Sequence, residues 1–256
     1  MPVLANEVAI VTGASSGIGR ATARLFAREG AKLLVTARRQ SELEELVVDI
    51  ERDGGEAVYV SGDVRDESIA EKVVDTAVAR FGGVDIAFNN AGASGEMGAV
   101  HQISSAGWID TLNTNLTSAF LGAKYQIPAM IARGGGSLIF TSSFVGYSAG
   151  FPGMAAYAAS KAGLVGMTQV IAGEFGALGI RANAILPGAT DTAANAANLP
   201  GGAPETRAFI ENLHALKRMA TPLEIARSVL YLASDASSFV TGTAHLVDGG
   251  VSIART

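Results

Sequence analysis

The feature that most constrains the fold of this chain is an alternation of short, β-branched apolar runs with longer helical patterns from Glu7 onwards. Repeated strand and helix units of this kind predict a parallel sheet that is covered by helices on both faces. Seven strands are expected, at residues 8–12, 32–36, 57–60, 84–89, 137–142, 180–186 and 244–247. The pattern therefore predicts a three-layer, doubly wound α/β fold with a seven-stranded parallel sheet.

No linker, charge block or internal repeat divides the sequence, so residues 1–256 are expected to form a single domain. Residues 188–203 are rich in Ala, Asn and Gly and follow the sixth predicted strand. Sheets of this type bind ligands at the carboxyl ends of their strands. Residues 188–219 are therefore predicted to cover the substrate. Two capping boxes predict helix starts, one formed by Ser41 with Glu44 and the other by Thr221 with Glu224.

The charge balance argues against several classes of partner. With 19 basic and 24 acidic residues the net charge is −5, so neither nucleic acid nor an anionic membrane surface is an expected partner. The absence of cysteine excludes disulfides and thiol catalysis. There is no signal-like start and no run of about 18 apolar residues, so a soluble, cytoplasmic protein is expected. His101, His214 and His245 lack metal-ligand spacing, and no metal is expected.

A glycine-rich turn lies between the first predicted strand and the helical run that follows it. It reads Thr12-Gly13-Ala14-Ser15-Ser16-Gly17-Ile18-Gly19. Glycines at such a junction let the backbone approach a pyrophosphate, whose charge is stabilised by the helix N-terminus. The turn therefore predicts a dinucleotide site that includes Gly13, Ser15, Ser16, Gly17, Ile18 and Gly19.

The end of the second strand bears on which dinucleotide is used. Ala37 occupies the position at which an acidic residue would accept hydrogen bonds from the ribose hydroxyls. Arg38 and Arg39 follow it. Without the acid a 2′-phosphate is not repelled, and a guanidinium can pair with it. NADP(H) is therefore favoured over NAD(H), with Arg38 and Arg39 at the phosphate. The alternative is that both arginines are ordinary surface residues beside a helix start.

Two further strand ends are candidates for the same site. Asp63 and Val64 follow the third strand, where Asp63 could accept a hydrogen bond from an adenine amino group or simply form a turn. Asn90, Ala91 and Gly92 end the fourth strand and either line the coenzyme or support the sheet.

The candidate catalytic pair is Tyr157 and Lys161, which lie four residues apart in a helical pattern and so share one face. A phenol has a pKa near 10 and is a poor acid or base at neutral pH. An ammonium about 4 Å away favours the phenolate by about 4 kcal/mol at an effective dielectric constant near 20. Lys161 is therefore expected to lower the pKa of Tyr157. Taken alone, the pair could equally be an ordinary surface contact.

At this point the sequence resembles the short-chain dehydrogenase/reductase family over essentially the whole chain. The matching motifs, in order, are Thr12-Gly13-x-x-x-Gly17-x-Gly19, Asn89-Asn90-Ala91-Gly92, Asn115, Ser143, Tyr157-x-x-x-Lys161, and Pro187-Gly188 with Thr192. The resemblance implies a Rossmann-type fold and an oxidoreductase that moves hydride between a nicotinamide coenzyme and a ketone or secondary alcohol.

The resemblance also implies roles for individual residues. Ser143 would position the substrate oxygen, Tyr157 would exchange a proton with it, and Lys161 would hold the nicotinamide ribose. Asn115 looks like the family's helix-breaking asparagine, which anchors a water for proton resupply. Ser142 adjoins Ser143 and is the main alternative for the serine. The nicotinamide end would be lined by Pro187, Gly188, Thr190 and Thr192.

The resemblance further implies a homotetramer built through the last strand, near residues 242–250. Relatives that prefer NADP often carry a basic residue inside the glycine motif, where this chain has Ser15 and Ser16, so NAD use stays open. The alternatives to a dehydrogenase are a non-catalytic coenzyme-binding module and a lyase-type relative that has lost the coenzyme. The substrate is expected to be a small molecule, in a largely apolar pocket formed by Ser94, Glu96, Met97, Phe144, Met154, Phe209 and Leu213.

Overall fold

The structure, a computed structural model, describes residues 2–193 and 204–254, which contain a seven-stranded sheet with all strand pairs parallel. The strands are β1 (Val8–Thr12), β2 (Lys32–Ala37), β3 (Glu56–Ser61), β4 (Ile86–Asn89), β5 (Gly136–Thr141), β6 (Ile180–Pro187) and β7 (Ala244–Val247). Their spatial order is β3-β2-β1-β4-β5-β6-β7. The order reverses between β1 and β4, which places a ligand-binding crevice at the carboxyl ends of these strands.

Helices connect consecutive strands. They are α1 (Gly17–Arg28), α2 (Gln40–Arg52), α3 (Glu67–Phe81), α4 (Ser105–Leu112), α5 (Ser118–Arg133), α6 (Ala155–Phe175), α7 (Pro204–Leu213) and α8 (Pro222–Ala233). A π-helical turn, Asn113–Thr117, joins α4 directly to α5. Such turns hold one residue more than a regular helical turn and often mark functional sites.

The two largest hydrophobic cores of the described residues lie on opposite faces of the sheet. Alternate residues of β1 point to opposite sides, so Ala9 and Val11 join one core while Val8 and Ile10 join the other. The first core also takes buried side chains from α1, α2 and α8, and the second from α3, α5 and α6. The predicted three-layer, doubly wound fold is thereby confirmed.

The bounds of β1 and β7 are as predicted, and those of the other five strands differ from the predictions by one or two residues. The largest shift is in β4, which begins at Ile86 instead of residue 84. At its start the Asp85 carboxylate accepts the backbone N–H of Val8 at 2.8 Å and also pairs with Arg133. The side chain of Asp85 thus accepts the Val8 N–H, which a backbone carbonyl of the neighbouring strand would otherwise accept.

One of the two predicted capping boxes is present. Thr221 caps α8, since its hydroxyl accepts the Glu224 N–H and the Glu224 carboxylate accepts the Thr221 N–H. The Ser41 prediction is wrong, because α2 already begins at Gln40 with Arg39 as its extended N-cap. Ser41 therefore lies within the first turn, where its hydroxyl donates to Glu42 instead.

Over residues 2–193 and 204–254, none of the helices combines the length and the apolar character that a membrane crossing requires.

Candidate active site

The glycine turn forms a tight cradle at the carboxyl end of β1. Gly13 and Gly17 have φ of +67° and +55°, in the left-handed region that favours glycine. A Cβ at Gly19 would lie 2.4 Å from the Gly13 carbonyl oxygen, so no side chain fits there. Within the described residues, the N-cap side chain of Ser16 makes no capping hydrogen bond and the first turn of α1 holds no acid. Backbone N–H groups are thus available to an anion, which fits the pyrophosphate of a dinucleotide.

Asn90 ties this turn to the neighbouring strands. Its side-chain amide donates to the Thr12 carbonyl at 3.1 Å and accepts from the Thr141 hydroxyl at 3.1 Å. The Thr12 hydroxyl in turn accepts the N–H groups of Asn90 and Ala91, at 2.9 and 3.0 Å. The side chain of Asn90 therefore supports the sheet, which was one of the two predicted roles.

The two arginines after β2 differ in their partners. Arg39 donates to the Ser15 hydroxyl at 3.0 Å and pairs with Glu42 at 3.2 Å, so it links β2 to the glycine turn. Arg38 is exposed and takes part in no ion pair among residues 2–193 and 204–254. Its charge helps to hold the pKa of Asp63 below the usual range, after a larger effect of Arg65. Arg38 is thus a cation at the edge of the crevice with its guanidinium still available.

Asp63 is held in a defined orientation by Arg65. The Arg65 guanidinium contacts both carboxylate oxygens, at 3.1 Å for Nε to Oδ1 and 2.6 Å for Nη2 to Oδ2. The backbone N–H of Arg65 also donates to Oδ1 at 3.0 Å. The Nε atom also contacts Oδ2, at 3.0 Å, so Arg65 holds both oxygens and fixes the plane of the carboxylate. Val64 lines a small cavity together with Ala91, between β1, β4 and the helices behind them.

The two adjacent serines after β5 face different partners. The Ser142 hydroxyl donates to the carbonyl of Lys161 at 2.7 Å and is buried. The Ser143 hydroxyl accepts the N–H of Val145 at 3.1 Å and is hydrogen-bonded to the side chain of Tyr157. Of the two serines, therefore, only Ser143 joins the tyrosine side chain.

Tyr157 and Lys161 lie on the same face of α6, as their spacing predicts. The Lys161 Nζ atom lies 5.7 Å from the centroid of the Tyr157 ring and donates to the Thr141 carbonyl at 2.7 Å. Lys161 is 3% exposed, and a Cβ at Gly92 would lie 3.2 Å from its Nζ atom. A side chain at position 92 would therefore crowd the Lys161 ammonium, and glycine leaves this space open.

The pKa of Tyr157 moves opposite to the prediction. Burial raises the pKa of this phenol, and the hydrogen bond with Ser143 offsets part of that rise. Burial also lowers the pKa of Lys161 from 10.5 to about 8. The prediction considered the ammonium alone and omitted desolvation, which disfavours the charged form of both groups.

Asn115 lies in the π-helical turn and is 1% exposed. Its amide accepts the N–H of Ala93 at 2.8 Å and donates to the Ala93 carbonyl and to the Ser160 hydroxyl, at 2.9 and 3.0 Å. Asn115 therefore connects the loop after β4 to α6, beside Lys161. The expected irregularity of the helix at this residue is present.

The segment after β6 lies across the crevice. A Cβ built on Gly17 would be 3.1 Å from the Thr192 methyl group, so Thr192 lies against the glycine turn. Thr190 is 3% exposed, and its hydroxyl donates to the Gly188 carbonyl at 3.1 Å. Pro187 ends β6 at the same edge. Residues 194–203 of the predicted covering segment lie outside the described residues.

The apolar wall beside Ser143 is formed by aromatic side chains. Phe144 is buried and packs edge-to-face on Phe151, with ring centroids 5.6 Å apart. Glu96 was expected in this pocket, but its carboxylate accepts both the N–H and the hydroxyl of Ser104, the N-cap of α4. Its role is to fix the start of that helix.

The known proteins that this chain is similar to are dehydrogenases and reductases. A family model described as enoyl-(acyl carrier protein) reductase matches residues 13–252. The chain is 36% identical to cyclohexanol dehydrogenase of Acinetobacter sp. (strain SE19), over 95% of this chain and 94% of that protein. It is 37% identical to cis-4-hydroxycyclohexanecarboxylate dehydrogenase of Sinomonas cyclohexanicum, over 96% of each. A short-chain type dehydrogenase/reductase from Mycobacterium marinum superposes with a TM-score of 0.92 at 33% identity, covering 98% of this chain and 97% of the other.

The chain belongs to the short-chain dehydrogenase/reductase family. Members of this family are oxidoreductases that act on alcohols and ketones with a nicotinamide coenzyme. The family motifs of this chain, which lie up to about 180 residues apart in sequence, meet at the carboxyl edge of β1, β4, β5 and β6.

One buried residue of this short-chain dehydrogenase has a contact near the site that its sequence did not predict. His214 lacks metal-ligand spacing in the sequence, yet in the fold it is 2% exposed and accepts the N–H of Ala189, next to Gly188. The two residues are 25 positions apart, and no local pattern links them. Only the fold could have revealed this contact.

Proposed function

We propose that this protein interconverts a cyclic secondary alcohol and its ketone, with NADP(H) as the preferred coenzyme and Tyr157 as the general acid/base. The observation that carries the proposal is the group formed by Ser143, Tyr157 and Lys161. The serine hydroxyl contacts the tyrosine, and the buried ammonium lies beside the tyrosine ring. The glycine turn at the end of β1 supplies a fitting cradle for a dinucleotide.

When bound, the coenzyme supplies or accepts the hydride. In ketone reduction, the Ser143 hydroxyl donates a hydrogen bond to the substrate oxygen and fixes its position. Tyr157, whose pKa is raised, is fully protonated near neutral pH and donates its proton to that oxygen. The Lys161 ammonium stabilises the phenolate that remains. Asn115 holds the loop after β4 against α6, beside the Lys161 side chain.

The coenzyme preference rests on Arg38. Ala37 is not acidic, and Arg38 is an exposed cation next to Asp63, while Arg39 already binds Ser15 and Glu42. Arg38 would pair with the 2′-phosphate, and Asp63 would accept the adenine amino group. NADH use is the alternative, to be decided by measuring the affinity for NADPH and NADH in Arg38→Ala and in Arg80→Ala, a matched exposed arginine. NADPH affinity should fall about tenfold in Arg38→Ala alone; an unchanged value contradicts the assignment.

The substrate class rests on the aromatic wall beside Ser143 and on the relatives. Two relatives are named for six-membered-ring alcohols, and the Phe144–Phe151 pair offers an apolar face for such a ring. The decisive experiment follows NADPH absorbance with cyclohexanone, 2-hexanone and a 3-oxoacyl thioester. The value of kcat/KM should be about tenfold higher for the cyclic ketone than for the open-chain ketone. Preference for the thioester would refute the substrate class.

The catalytic assignment is tested in the same assay with Tyr157→Phe, which keeps the ring and removes the hydroxyl. Turnover should fall by about 10² to 10⁴ while coenzyme binding persists. Undiminished turnover would overturn the acid/base role. Coenzyme binding without turnover of any alcohol or ketone in the wild type would favour the non-catalytic module.

The expected assembly is a homotetramer. The edge strand β7 and the adjoining α8 expose the apolar side chains of Leu246, Tyr231 and Leu223, which supports an interface at this edge. A second apolar surface is present at Ile109 and Phe120, on α4 and α5. Light scattering at micromolar concentration should give four times the chain mass of 26.1 kDa, and a monomeric mass would refute this proposal.

A further inference from the structure

His214 directly follows α7 and, within residues 2–193 and 204–254, is the buried titratable residue that the proposed reaction leaves unused. Its Nε2 atom accepts the backbone N–H of Ala189 at 3.1 Å. Its Nδ1 atom lies 2.8 Å from the carbonyl oxygen of Ile210, in the last turn of α7. Because a backbone N–H can only donate, Nε2 carries no proton and Nδ1 donates to Ile210. The ring is therefore a neutral imidazole in one defined tautomer.

The imidazole ring is enclosed by the backbone of two other segments. A Cβ at Gly188 would lie 2.9 Å from Nε2 of His214 and 2.8 Å from the carbonyl oxygen of Asp248. A Cβ at Gly249 would lie 3.3 Å from Cδ2 of the ring. Gly188 thus runs between the imidazole and the end of β7, where no larger residue fits. The ring joins the loop after β6 to α7 and packs against the chain after β7.

A second link between the same loop and α7 is much weaker. Arg207 pairs with Asp191 at 3.0 Å, but the side chains are 47% and 51% exposed. Exposed ion pairs contribute little because water screens them and both side chains lose freedom. The imidazole of His214 is 2% exposed and its hydrogen bond to Ala189 is partly buried, so water competes with it less. It is therefore the stronger of these two links between the loop and α7.

We propose that His214 is a positioning residue, which through Ala189 holds the backbone of Pro187 and Gly188 where the nicotinamide end of the coenzyme binds. The inference rests on the proposed function, because it takes the loop after β6 as the nicotinamide side of the site. In this role His214 touches neither the substrate nor the reacting atoms. Its effect passes through the Ala189 N–H.

The test compares substitutions that keep or remove the acceptor. In His214→Gln the amide oxygen can reach the place of Nε2 and accept from Ala189, whereas His214→Leu fills similar space without an acceptor. Arg207→Ala is the control for the exposed link. Titration calorimetry measures the affinity of each variant for NADPH and for 2′-phospho-ADP-ribose, which lacks the nicotinamide. NADH and ADP-ribose are titrated in parallel, and thermal unfolding checks the fold.

The Leu variant should bind the complete coenzyme about tenfold more weakly, the effect of one buried N–H left without its acceptor. Its affinity for the nicotinamide-free ligand should stay within about twofold, and the Gln and Arg207→Ala variants should resemble wild type. Equal weakening of both ligands, or wild-type affinity in the Leu variant, would overturn the inference.

If His214→Leu does not fold, His214→Gln and His214→Asn carry the test, because the shorter amide reaches only the place of Nδ1. Coenzyme affinity should then be higher in the Gln variant, and equal affinities would refute the role of Ala189. A wild-type protein that binds neither coenzyme overturns the proposed function itself. Binding by the wild type with no difference among the variants overturns only the assignment of His214.

Discussion

At the scale of single residues, Lys161 sets the expected pH dependence. Its pKa is lowered to about 8 by burial, so the ammonium predominates at neutral pH and is lost as the pH rises through about 8. The neutral amine cannot stabilise the phenolate of Tyr157, and kcat for ketone reduction should therefore fall through this range. A pH profile of kcat measures this. The step should be absent in Lys161→Arg, whose guanidinium stays charged, and a wild-type rate that stays level or rises contradicts the prediction.

Ser142 and Ser143 offer a matched pair of adjacent substitutions. Ser143→Ala removes the hydroxyl that meets Tyr157, so kcat should fall about 10²-fold with little change in melting temperature. Ser142→Ala removes a buried hydrogen bond to the Lys161 carbonyl and should lower the free energy of unfolding by about 1 kcal/mol, with most turnover retained. Steady-state kinetics and urea unfolding of both variants separate the two effects. The reverse pattern would exchange the roles of the two serines.

At the scale of elements, the start of α8 supports the site indirectly. Its N-cap Thr221 follows Ala220, whose backbone N–H donates to the Ala189 carbonyl and whose own carbonyl accepts the N–H of Asp191. Thr221→Ala should cost about 1 kcal/mol of stability, the usual effect of losing a cap. Ser41→Ala, in the box that did not form, should change stability by less than about 0.5 kcal/mol. Urea unfolding measures both, and equal losses would contradict the difference between the two helix starts.

Arg65 joins the end of β3 to α4, because it contacts Asp63 and Asp110. If Asp63 receives the adenine amino group, Arg65→Ala frees its carboxylate to rotate and should weaken coenzyme binding about fivefold with kcat unchanged. Asp110→Asn is the control, since Asp110 is 62% exposed and its pair is screened. Fluorescence titration of NADPH measures the affinities. An unchanged affinity in Arg65→Ala would show that Asp63 does not depend on this clamp.

At the scale of the whole molecule, local signals in the sequence predicted the sheet, its helical layers and the residues of the glycine turn. The spacing of Tyr157 and Lys161 also predicted that the two residues share one helix face. Local patterns could not predict which side chains from distant segments contact each other. Three contacts depend on distant segments meeting: that of Ser142 with the Lys161 carbonyl, that of His214 with Ala189 and that of Arg39 with Ser15. The direction of the pKa shift of Tyr157 was predicted wrongly for the same reason, since burial is a property of the fold.

The extra residue in the π-helical turn has a consequence for how this chain can change. A regular helix advances about 100° per residue, so deleting one residue from Asn113–Thr117 would rotate α5 relative to α4 by roughly that angle. Either Asn115 would leave Ala93 and Ser160, or the apolar side of α5 would turn away from the sheet. Insertions and deletions are therefore not expected within these five positions. Exposed loops tolerate changes of length better.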